Sequence, residues 1–274
     1  MPVPRLADGP DAAVPGRALR EREPSLNAST LLVPTASAIL TEQLPAFAPT
    51  PDQQAALKKA ASLLAGDAPL CDMTELLRDN LDTPLYYRTD HHWTTQAAYL
   101  VYADWAKAAG PSPLPAAAFT TETVSDSFYG TLYSKANLPT LKPDSVTAYI
   151  PVRPVEVRVD YGEGTASDSL YREEFLTQKD KYSYFLGGNH AKVEIETGTK
   201  NGRTLLLLQD SYAHCFVPFL VFHYERILVL DPRYVKDDIF AYAVENHVTD
   251  LLTLYNLPNF ATDRNVPNIL PEVQ

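Results

Sequence analysis

Residues 204–212 read TLLLLQDSY, and two further apolar stretches follow: RILVLD at 226–231 and DLLTLYN at 250–256. Consecutive apolar residues of this length are typical of strands covered on both faces. Between them we predict an apolar helical segment over 212–224, bent near its proline, and a helix over about 236–247. Strands that alternate with helices through short connections predict right-handed βαβ units and a parallel sheet.

The remaining segments extend this α/β interpretation. Residues 1–28 are rich in Pro, Arg, Asp and Glu and predict a flexible N-terminal segment. A buried strand over 29–35 and a helix that begins after Asp52 follow. Residues at about 111–199 have a less regular pattern and predict an antiparallel insertion packed on the sheet. We therefore expect a single domain over 29–274 that contains this insertion.

The composition is that of a soluble globular protein, with 274 residues, 45% hydrophobic and 21% charged. The chain has 23 Lys and Arg against 34 Asp and Glu, so its net charge is −11. With no basic stripe to reverse this sign locally, a nucleic-acid partner is excluded. Neither GxxxxGK[ST] nor GxGxxG occurs, and we expect no cofactor.

The two cysteines, Cys71 and Cys215, provide neither a disulfide framework nor a CxxC metal site. Buried free thiols are the simpler interpretation, and one bridge between them is the alternative. No apolar run has transmembrane length, and charges and prolines occupy the first residues, where a signal peptide would be apolar. We therefore expect no export segment.

Polar residues follow the three predicted strands, at 209–211, 231–233 and 255–256. Ligands of parallel sheets bind at these carboxyl ends. Ser211 would lie beside the free N–H groups of a helix start, which favour an oxyanion. Its hydroxyl would need a general base, because serine is a weak nucleophile at neutral pH. The alternative is that Ser211 or Asp210 only caps the helix.

An Asp-x-His pair is the candidate for that base. The stretch TDHHW at 89–93 lies between a predicted short strand at 85–88 and a helix with Thr94 as its predicted N-cap. In such a turn Asp90 can accept the Nδ1 proton of His92 and leave Nε2 free as a base. Two alternatives remain: a helix-start aspartate beside two structural histidines, and a metal site formed by the aspartate and both histidines.

A third stretch, LGGNH at 186–190, is a candidate oxyanion site. Paired glycines permit backbone conformations that other residues avoid, and the Asn189 amide can donate to a developing negative oxygen. The alternative is a simple hairpin turn.

Together these motifs resemble the DHHW protein family, which belongs with the SGNH-hydrolase-like proteins related to the alginate O-acetylation proteins. The resemblance is carried by 89–93, 205–212 and 229–234, and extends from about residue 32 to residue 256. It implies a flavodoxin-like, three-layer α/β/α fold with a mainly parallel sheet. It also implies a serine esterase or acyltransferase.

Carried over by motif, Asp90 matches the orienting acid, His92 the base and Ser211 the nucleophile. His91 falls at the variable position between the acid and the base, so we expect its side chain to point elsewhere. The Asp-His pair precedes the serine, as in the alginate group, whereas most SGNH enzymes have the serine first. No metal site is implied.

The resemblance also suggests residues around this triad. Asn189 corresponds by analogy to the oxyanion asparagine of SGNH enzymes, and Gly188 is included for its proximity. Trp93, Tyr212 and Arg233 are candidate substrate-binding residues, since aromatic rings can stack on sugars.

The implied function is serine-dependent acyl transfer, expected to be acetyl, on a cell-surface or secreted polysaccharide, by an O-acetyltransferase or an acetylesterase. The implied partners are a polysaccharide acceptor, an acyl donor and a membrane-bound O-acyltransferase, in an extracytoplasmic location. The alternative is a non-catalytic polysaccharide-binding or assembly protein on the same fold.

Overall fold

The structure is a computed structural model that describes residues 25–109, 111–136 and 138–263. Its strands are β1 (Asn27–Val33), β2 (Phe119–Phe128), β3 (Asp144–Pro151), β4 (Val157–Gly162), β5 (Thr165–Ser167), β6 (Lys192–Thr197), β7 (Thr204–Gln209), β8 (Arg226–Leu230) and β9 (Asp250–Asn256). Its α-helices are α1 (Ala36–Ile39), α2 (Gln53–Leu64), α3 (Thr74–Arg78), α4 (Thr95–Ala109), α5 (Thr131–Ala136), α6 (Val217–Leu220), α7 (Ile239–Glu245) and α8 (Leu257–Thr262). Short 3-10 turns occur at Thr41–Gln43, Ala116–Ala118, Glu173–Thr177, Lys181–Tyr184 and Ser211–Ala213.

The main sheet has the strand order β1-β9-β7-β8-β6-β4-β5. Strands β1, β9, β7 and β8 are parallel, whereas β6, β4 and β5 extend the sheet in antiparallel fashion. Leu206 of β7 pairs with Leu228 of β8 and with Leu251 of β9. From β7 the chain continues to β8 on one side of β7, and the following strand, β9, lies on the other side of β7, so the direction of the strand order switches here. Ligands of α/β sheets bind in the crevice at such a switch.

Helices cover both faces of the parallel strands. Successive side chains of a strand point to opposite faces, and in β7 Leu205 and Leu207 pack in the cluster that contains α4. Leu206 and Leu208 pack on the other face with α7, and α2 covers that same face nearer to β1. This double coverage explains the unbroken apolar pattern of the strands and confirms the predicted three-layer α/β/α fold.

Several predicted elements are observed. Strands β7, β8 and β9 lie at the predicted positions, and β1 begins at Asn27, slightly before the predicted residue 29. Asp52 caps α2 by accepting the Ala55 N–H at 2.9 Å. Thr94 caps α4, because its hydroxyl accepts the Ala97 N–H at 3.2 Å. The predicted end of α4 at Gly110 and most of the predicted N-terminal segment lie outside the described residues.

Two predicted elements are wrong. The segment over 212–224, predicted as a helix bent near its proline, is instead a 3-10 turn followed by the short helix α6, which has Pro218 in its first turn. Proline has no N–H to donate to the preceding turn, so it begins a helix more readily than it continues one. The predicted strand at 85–88 is reduced to a single bridge between Tyr86 and Trp93.

The insertion (residues 111–199) contains β2 to β6. Strands β2 and β3 form a separate antiparallel pair with two irregularities in register. Strands β4, β5 and β6 join the edge of the main sheet through β6, which pairs with β8. The antiparallel character is therefore as expected, but part of the insertion continues the sheet. That residues 29–274 form a single domain stays a prediction.

Both cysteines are free, with Cys215 buried and Cys71 partly exposed. No helix within the described ranges combines the length and the apolar character needed to cross a membrane.

Candidate active site

Ser211 follows β7 at the centre of the parallel strands. Asp210 caps the 3-10 turn by accepting the Tyr212 N–H at 3.0 Å. Its second carboxylate oxygen accepts the Asn256 N–H at 3.1 Å and the Asn259 side-chain amide at 2.7 Å. Asp210 therefore has the capping role that the sequence left open between the two residues, and the Ser211 hydroxyl makes a different contact.

That contact is with His92, 119 positions earlier in the chain. His92 Nε2 lies 2.8 Å from Ser211 Oγ, and His92 Nδ1 lies 2.5 Å from Asp90 Oδ1. The three side chains form one hydrogen-bonded series, in which the imidazole can take the serine proton while the carboxylate orients the ring. The structure thus brings the two predicted turns together.

Backbone hydrogen bonds close the turn that carries Asp90 and His92. The Tyr87 N–H donates to the His92 carbonyl at 3.2 Å, and the Thr94 N–H donates to the Leu85 carbonyl at 2.9 Å. The Asp90 carboxylate also accepts the His92 N–H at 3.0 Å. These bonds hold the acid and the base on one short loop that leads directly into α4.

The negative charge of the Asp90 carboxylate is stabilised by its neighbours, although its side chain is buried. Burial alone would raise the pKa of this carboxyl. Hydrogen bonds from His92 and Thr131, together with the nearby imidazole charge, outweigh burial and hold the pKa of Asp90 below its usual value. The carboxylate is therefore ionised at neutral pH and available to orient His92.

Two rings contact the His92 imidazole. The Tyr182 ring stacks on it at a centroid distance of 3.8 Å and an angle of 11°, and the His91 ring lies 3.9 Å away. The Tyr182 hydroxyl also donates to the Ser211 carbonyl at 3.1 Å. Tyr182 thus contacts both the base and the backbone of the candidate nucleophile.

The expectation that His91 points away from the site is wrong. Besides its contact with the His92 ring, His91 Nδ1 lies 2.8 Å from Thr131 Oγ1, and the His91 carbonyl accepts the Tyr212 hydroxyl at 2.5 Å. The side chain keeps 41% of its surface exposed and lines the cleft. Partial burial and the charge of His92 lower the pKa of His91 to about 4, which keeps the ring neutral near pH 7.

The start of α5, in the insertion, holds Asp90 from the side opposite to His92. Asp90 Oδ2 accepts the Thr131 N–H at 2.7 Å and the Thr131 hydroxyl at 3.0 Å. The preceding residue is Gly130, where a Cβ atom would lie only 2.3 Å from the Asp90 side chain. Only glycine permits this close approach of the backbone to the carboxylate.

The candidate oxyanion residues lie in the same cleft as Ser211 and His92. Gly188 has φ of +86°, and a Cβ there would lie 2.7 Å from Ser183 Oγ, so the position requires glycine. Asn189 is exposed to the cleft. The loop connects the 3-10 turn Lys181–Tyr184 to β6, so the hairpin alternative is wrong. Within the described part of the chain, the Ser211 N–H has no acceptor.

The cleft has a volume of about 690 Å³. Its walls combine the triad residues with polar and aromatic side chains, which include His91, Phe128, Tyr129, Thr131, Ser134, Lys135, Lys179, Asp180, Tyr182, Asn189, His214, Arg233 and Asn259. Arg233 is half-buried and is held by the Asp231 carboxylate through bonds of 2.8 and 2.5 Å, which raise the pKa of the guanidinium. Its predicted role in substrate binding stays a prediction.

Trp93 and Tyr212 are corrections to the sequence analysis. Both side chains are fully buried, and neither lines the cleft. The Trp93 indole N–H donates to the Tyr212 carbonyl at 2.8 Å, and the two rings stack. Their contact joins the turn that carries Asp90 and His92 to the turn that carries Ser211, from inside the core. A substrate could reach either ring only if this contact were broken.

The residues of the Asp-His-His segment could also be read as metal ligands. Asp90, His91 and His92 each offer one ligand atom, all within 4.8 Å of one another. An ion there would compete with the bonds from Asp90 to His92 and Thr131. The observed geometry favours the hydrogen-bonded pair.

Sequence reasoning missed Thr131 and Tyr182. Both lie in the insertion, whose sequence has no regular period, and neither belongs to a recognisable motif. Gly130 was the only available signal, since an isolated glycine beside extended residues suggests a close backbone approach. Nothing local indicated that Asp90 would be the group approached.

The sequence of the chain matches a described protein family. The family described as DHHW protein matches residues 27–230, which is most of the chain. The chain belongs to the DHHW protein family. No curated protein matches this DHHW protein at a significant level.

Three solved structures share its fold. A DHHW family protein from Eubacterium siraeum is 27% identical, with 96% of this chain and 89% of that chain covered and a TM-score of 0.78. Bacillus cereus PatB1, solved with a sulfonyl adduct, is 21% identical, with 99% and 95% covered and a TM-score of 0.79. The O-acetyltransferase domain of Pseudomonas putida AlgJ is 15% identical, with 93% and 84% covered and a TM-score of 0.55.

Proposed function

We propose that this DHHW protein is a serine-dependent acyltransferase or esterase that forms an acetyl-enzyme on Ser211. The observation that carries the proposal is the 2.8 Å contact between His92 Nε2 and Ser211 Oγ, continued by the 2.5 Å contact from His92 Nδ1 to Asp90. The base thus lies within hydrogen-bonding distance of both the nucleophile and the acid that orients it.

The chemistry follows from this series. Ser211 Oγ attacks the carbonyl carbon of an acetyl ester while His92 Nε2 accepts the serine proton. When the tetrahedral intermediate breaks the bond to its leaving group, the imidazolium gives that proton to the departing oxygen. A sugar hydroxyl then loses its proton to His92 and attacks the acetyl-serine. The proton returns to Ser211, and water in place of the sugar releases acetate.

The tetrahedral oxyanion needs donors aimed at it, and such donors contribute a large share of catalysis in acyl transfer. The free Ser211 N–H and the Asn189 amide in the same cleft are the groups we assign to this role. Gly188 serves the site by its backbone conformation, which a side chain would disturb.

We infer a polysaccharide acceptor in an extracytoplasmic setting from the family resemblance, with a membrane-bound O-acyltransferase as the source of the acetyl group. The AlgJ chain that shares the fold is described as an O-acetyltransferase domain, which favours transfer over hydrolysis. The cleft volume of about 690 Å³ is within the range of small-molecule sites and accommodates a sugar beside Ser211.

The first test is the reaction with p-nitrophenyl acetate. We expect a burst of p-nitrophenol followed by slower turnover, as an acyl-enzyme requires. Ser211→Ala should remove the burst and lower turnover by a factor on the order of 10⁶. Ser62→Ala, which changes an exposed serine of α2, is the matched control and should behave as wild type. A sulfonyl fluoride should add its sulfonyl mass to the wild type and not to Ser211→Ala.

Two outcomes would contradict the proposal. Polysaccharide binding that is indifferent to Ser211→Ala, without turnover of any acyl donor, would favour the non-catalytic binding protein. Activity that a chelator abolishes and stoichiometric metal restores would favour a metallohydrolase built on Asp90 and the two histidines.

A further inference from the structure

The family motif contains two histidines, and the triad uses only His92. His91 is nevertheless held in place at three points: its ring contacts the His92 ring, its Nδ1 lies 2.8 Å from Thr131 Oγ1, and its carbonyl accepts the Tyr212 hydroxyl. Two of these contacts hold the ring itself, and they offset the entropy cost of ordering a partly exposed side chain.

The direction of the hydrogen bonds follows from counting protons. Thr131 has one hydroxyl proton, and its Oγ1 lies 3.0 Å from Asp90 Oδ2, an ionised carboxylate oxygen that can only accept. The hydroxyl must therefore donate to Asp90 and accept from His91. His91 must in turn carry its proton on Nδ1 to be that donor.

The result is a second hydrogen-bonded series that meets the triad at Asp90. One series runs from His91 through Thr131 to Asp90 Oδ2, and the other runs from Ser211 through His92 to Asp90 Oδ1. The carboxylate plane is thereby held through both oxygens. Because His92 is oriented by this carboxylate, its alignment with Ser211 depends on both series.

We propose that His91 and Thr131 are positioning residues, which fix the Asp90 carboxylate so that His92 is aligned with Ser211. This inference rests on the proposed function and assigns a role to the first histidine of the motif. The His91 ring also packs on the His92 ring, and its Nδ1 lies 3.6 Å from Asp90 Oδ1. The role we assign to it is exerted through its hydrogen bond to Thr131 and from there on Asp90.

The test compares isosteric pairs in the burst reaction with p-nitrophenyl acetate. His91→Asn keeps an N–H donor two bonds from Cβ, as Nδ1 is, whereas His91→Leu keeps the shape without the donor. We expect His91→Leu to lower the acylation rate roughly fivefold with KM within about twofold, and His91→Asn to restore most of it. Both variants lose the ring, so the donor alone distinguishes them.

Thr131 is tested in the same way. Thr131→Val should lower the acylation rate roughly tenfold, and Thr131→Ser should retain it, because serine keeps the hydroxyl. Since His91 acts through this hydroxyl, the double variant His91→Leu with Thr131→Val should be no slower than Thr131→Val alone. Thr123→Val, an exposed threonine of β2 in the same insertion, is the control and should be unchanged.

The outcomes separate the two proposals. If wild type shows no burst, or Ser211→Ala keeps it, the proposed function fails. If the burst depends on Ser211 but His91→Asn equals His91→Leu, or the double variant loses the product of the two single losses, the positioning role is wrong. Circular dichroism and thermal midpoints of every variant identify any that is misfolded, and the conservative variants His91→Asn and Thr131→Ser then decide the question.

Discussion

The parallel strands and the insertion contribute to the cleft in different ways. The turn after β7 supplies Ser211, whose Oγ is the atom proposed to react. The position of this turn is evident in the sequence, because an apolar strand is followed by polar residues. The insertion supplies Thr131, Tyr182 and Asn189, which hold or surround the reacting groups. In the proposed function, the first region supplies the nucleophile and the second fixes the geometry around it.

This difference has a physical origin. A buried parallel strand needs a continuous apolar pattern, so its end and the turn that follows can be located from local sequence. A positioning contact such as Thr131 with Asp90 needs only one hydroxyl and one glycine at the correct place, 41 residues from its partner. Such a contact leaves almost no periodic trace in the sequence.

Asp90→Asn should disturb both regions at once, because Asp90 is where they meet. The amide cannot accept through both atoms, so His92 loses its preferred tautomer and the insertion loses its anchor. We expect kcat for p-nitrophenyl acetate to fall by about 10⁴. Asp126→Asn, an exposed aspartate of β2, should leave kcat unchanged. Equal kcat for Asp90→Asn and wild type would remove Asp90 from the proposed mechanism.

A substitution in the insertion tests its contribution separately and should lower the rate less. Gly130→Ala places a Cβ where only 2.3 Å separates it from the Asp90 side chain, so that the carboxylate must shift. A displacement of this kind costs about 100-fold in rate when it misaligns a catalytic group. Gly66→Ala is the control, because its added Cβ would have no atom within 4 Å outside its own residue and its two chain neighbours. Steady-state kinetics that do not distinguish the two alanine variants would show that the insertion does not position Asp90.

The smallest effect concerns stability and pH. Burial lowers the pKa of His214, beside β7, to about 3 from an unfolded value of 6.5. Below pH 6.5 the unfolded chain therefore binds a proton that the folded chain does not, so the free energy of unfolding falls as pH falls. For one such histidine the slope approaches about 1.4 kcal/mol per pH unit.

His214→Gln should make the fall in unfolding free energy shallower by up to about this amount per pH unit, in urea denaturation measured between pH 6.5 and 4.5. His190, in the insertion, is only partly buried, and burial lowers its pKa as well. His190→Gln should change the slope less than His214→Gln does. An equal change for the two variants would mean that the two regions bury their histidines to the same degree.

The sequence predicted the parallel strands with little error, because they depend on a local apolar pattern. It also named the three side chains that meet in one hydrogen-bonded series, and their role as a catalytic triad stays a prediction. It failed for the helix over 212–224, where a 3-10 turn and a short helix that begins at Val217 replace the predicted bent helix. It also failed for Trp93, whose ring is predicted at a substrate and lies in the core. An aromatic residue beside a catalytic motif carries no local sign of whether it faces a ligand or the interior. His91 was misjudged for a related reason, because its partner Thr131 is remote in sequence.

The local sequence is enough to locate the central parallel strands and to name side chains that can act as nucleophile, base and acid, because apolar periodicity and residue chemistry are local properties. The tertiary structure alone decided that His92 meets Ser211 across 119 positions, that Thr131 and Gly130 enclose Asp90, and that Tyr182 covers the imidazole. These contacts arise from the packing of the insertion against the parallel strands. Packing depends on how the shapes of side chains that are far apart in sequence fit together. A short stretch of sequence does not contain this information.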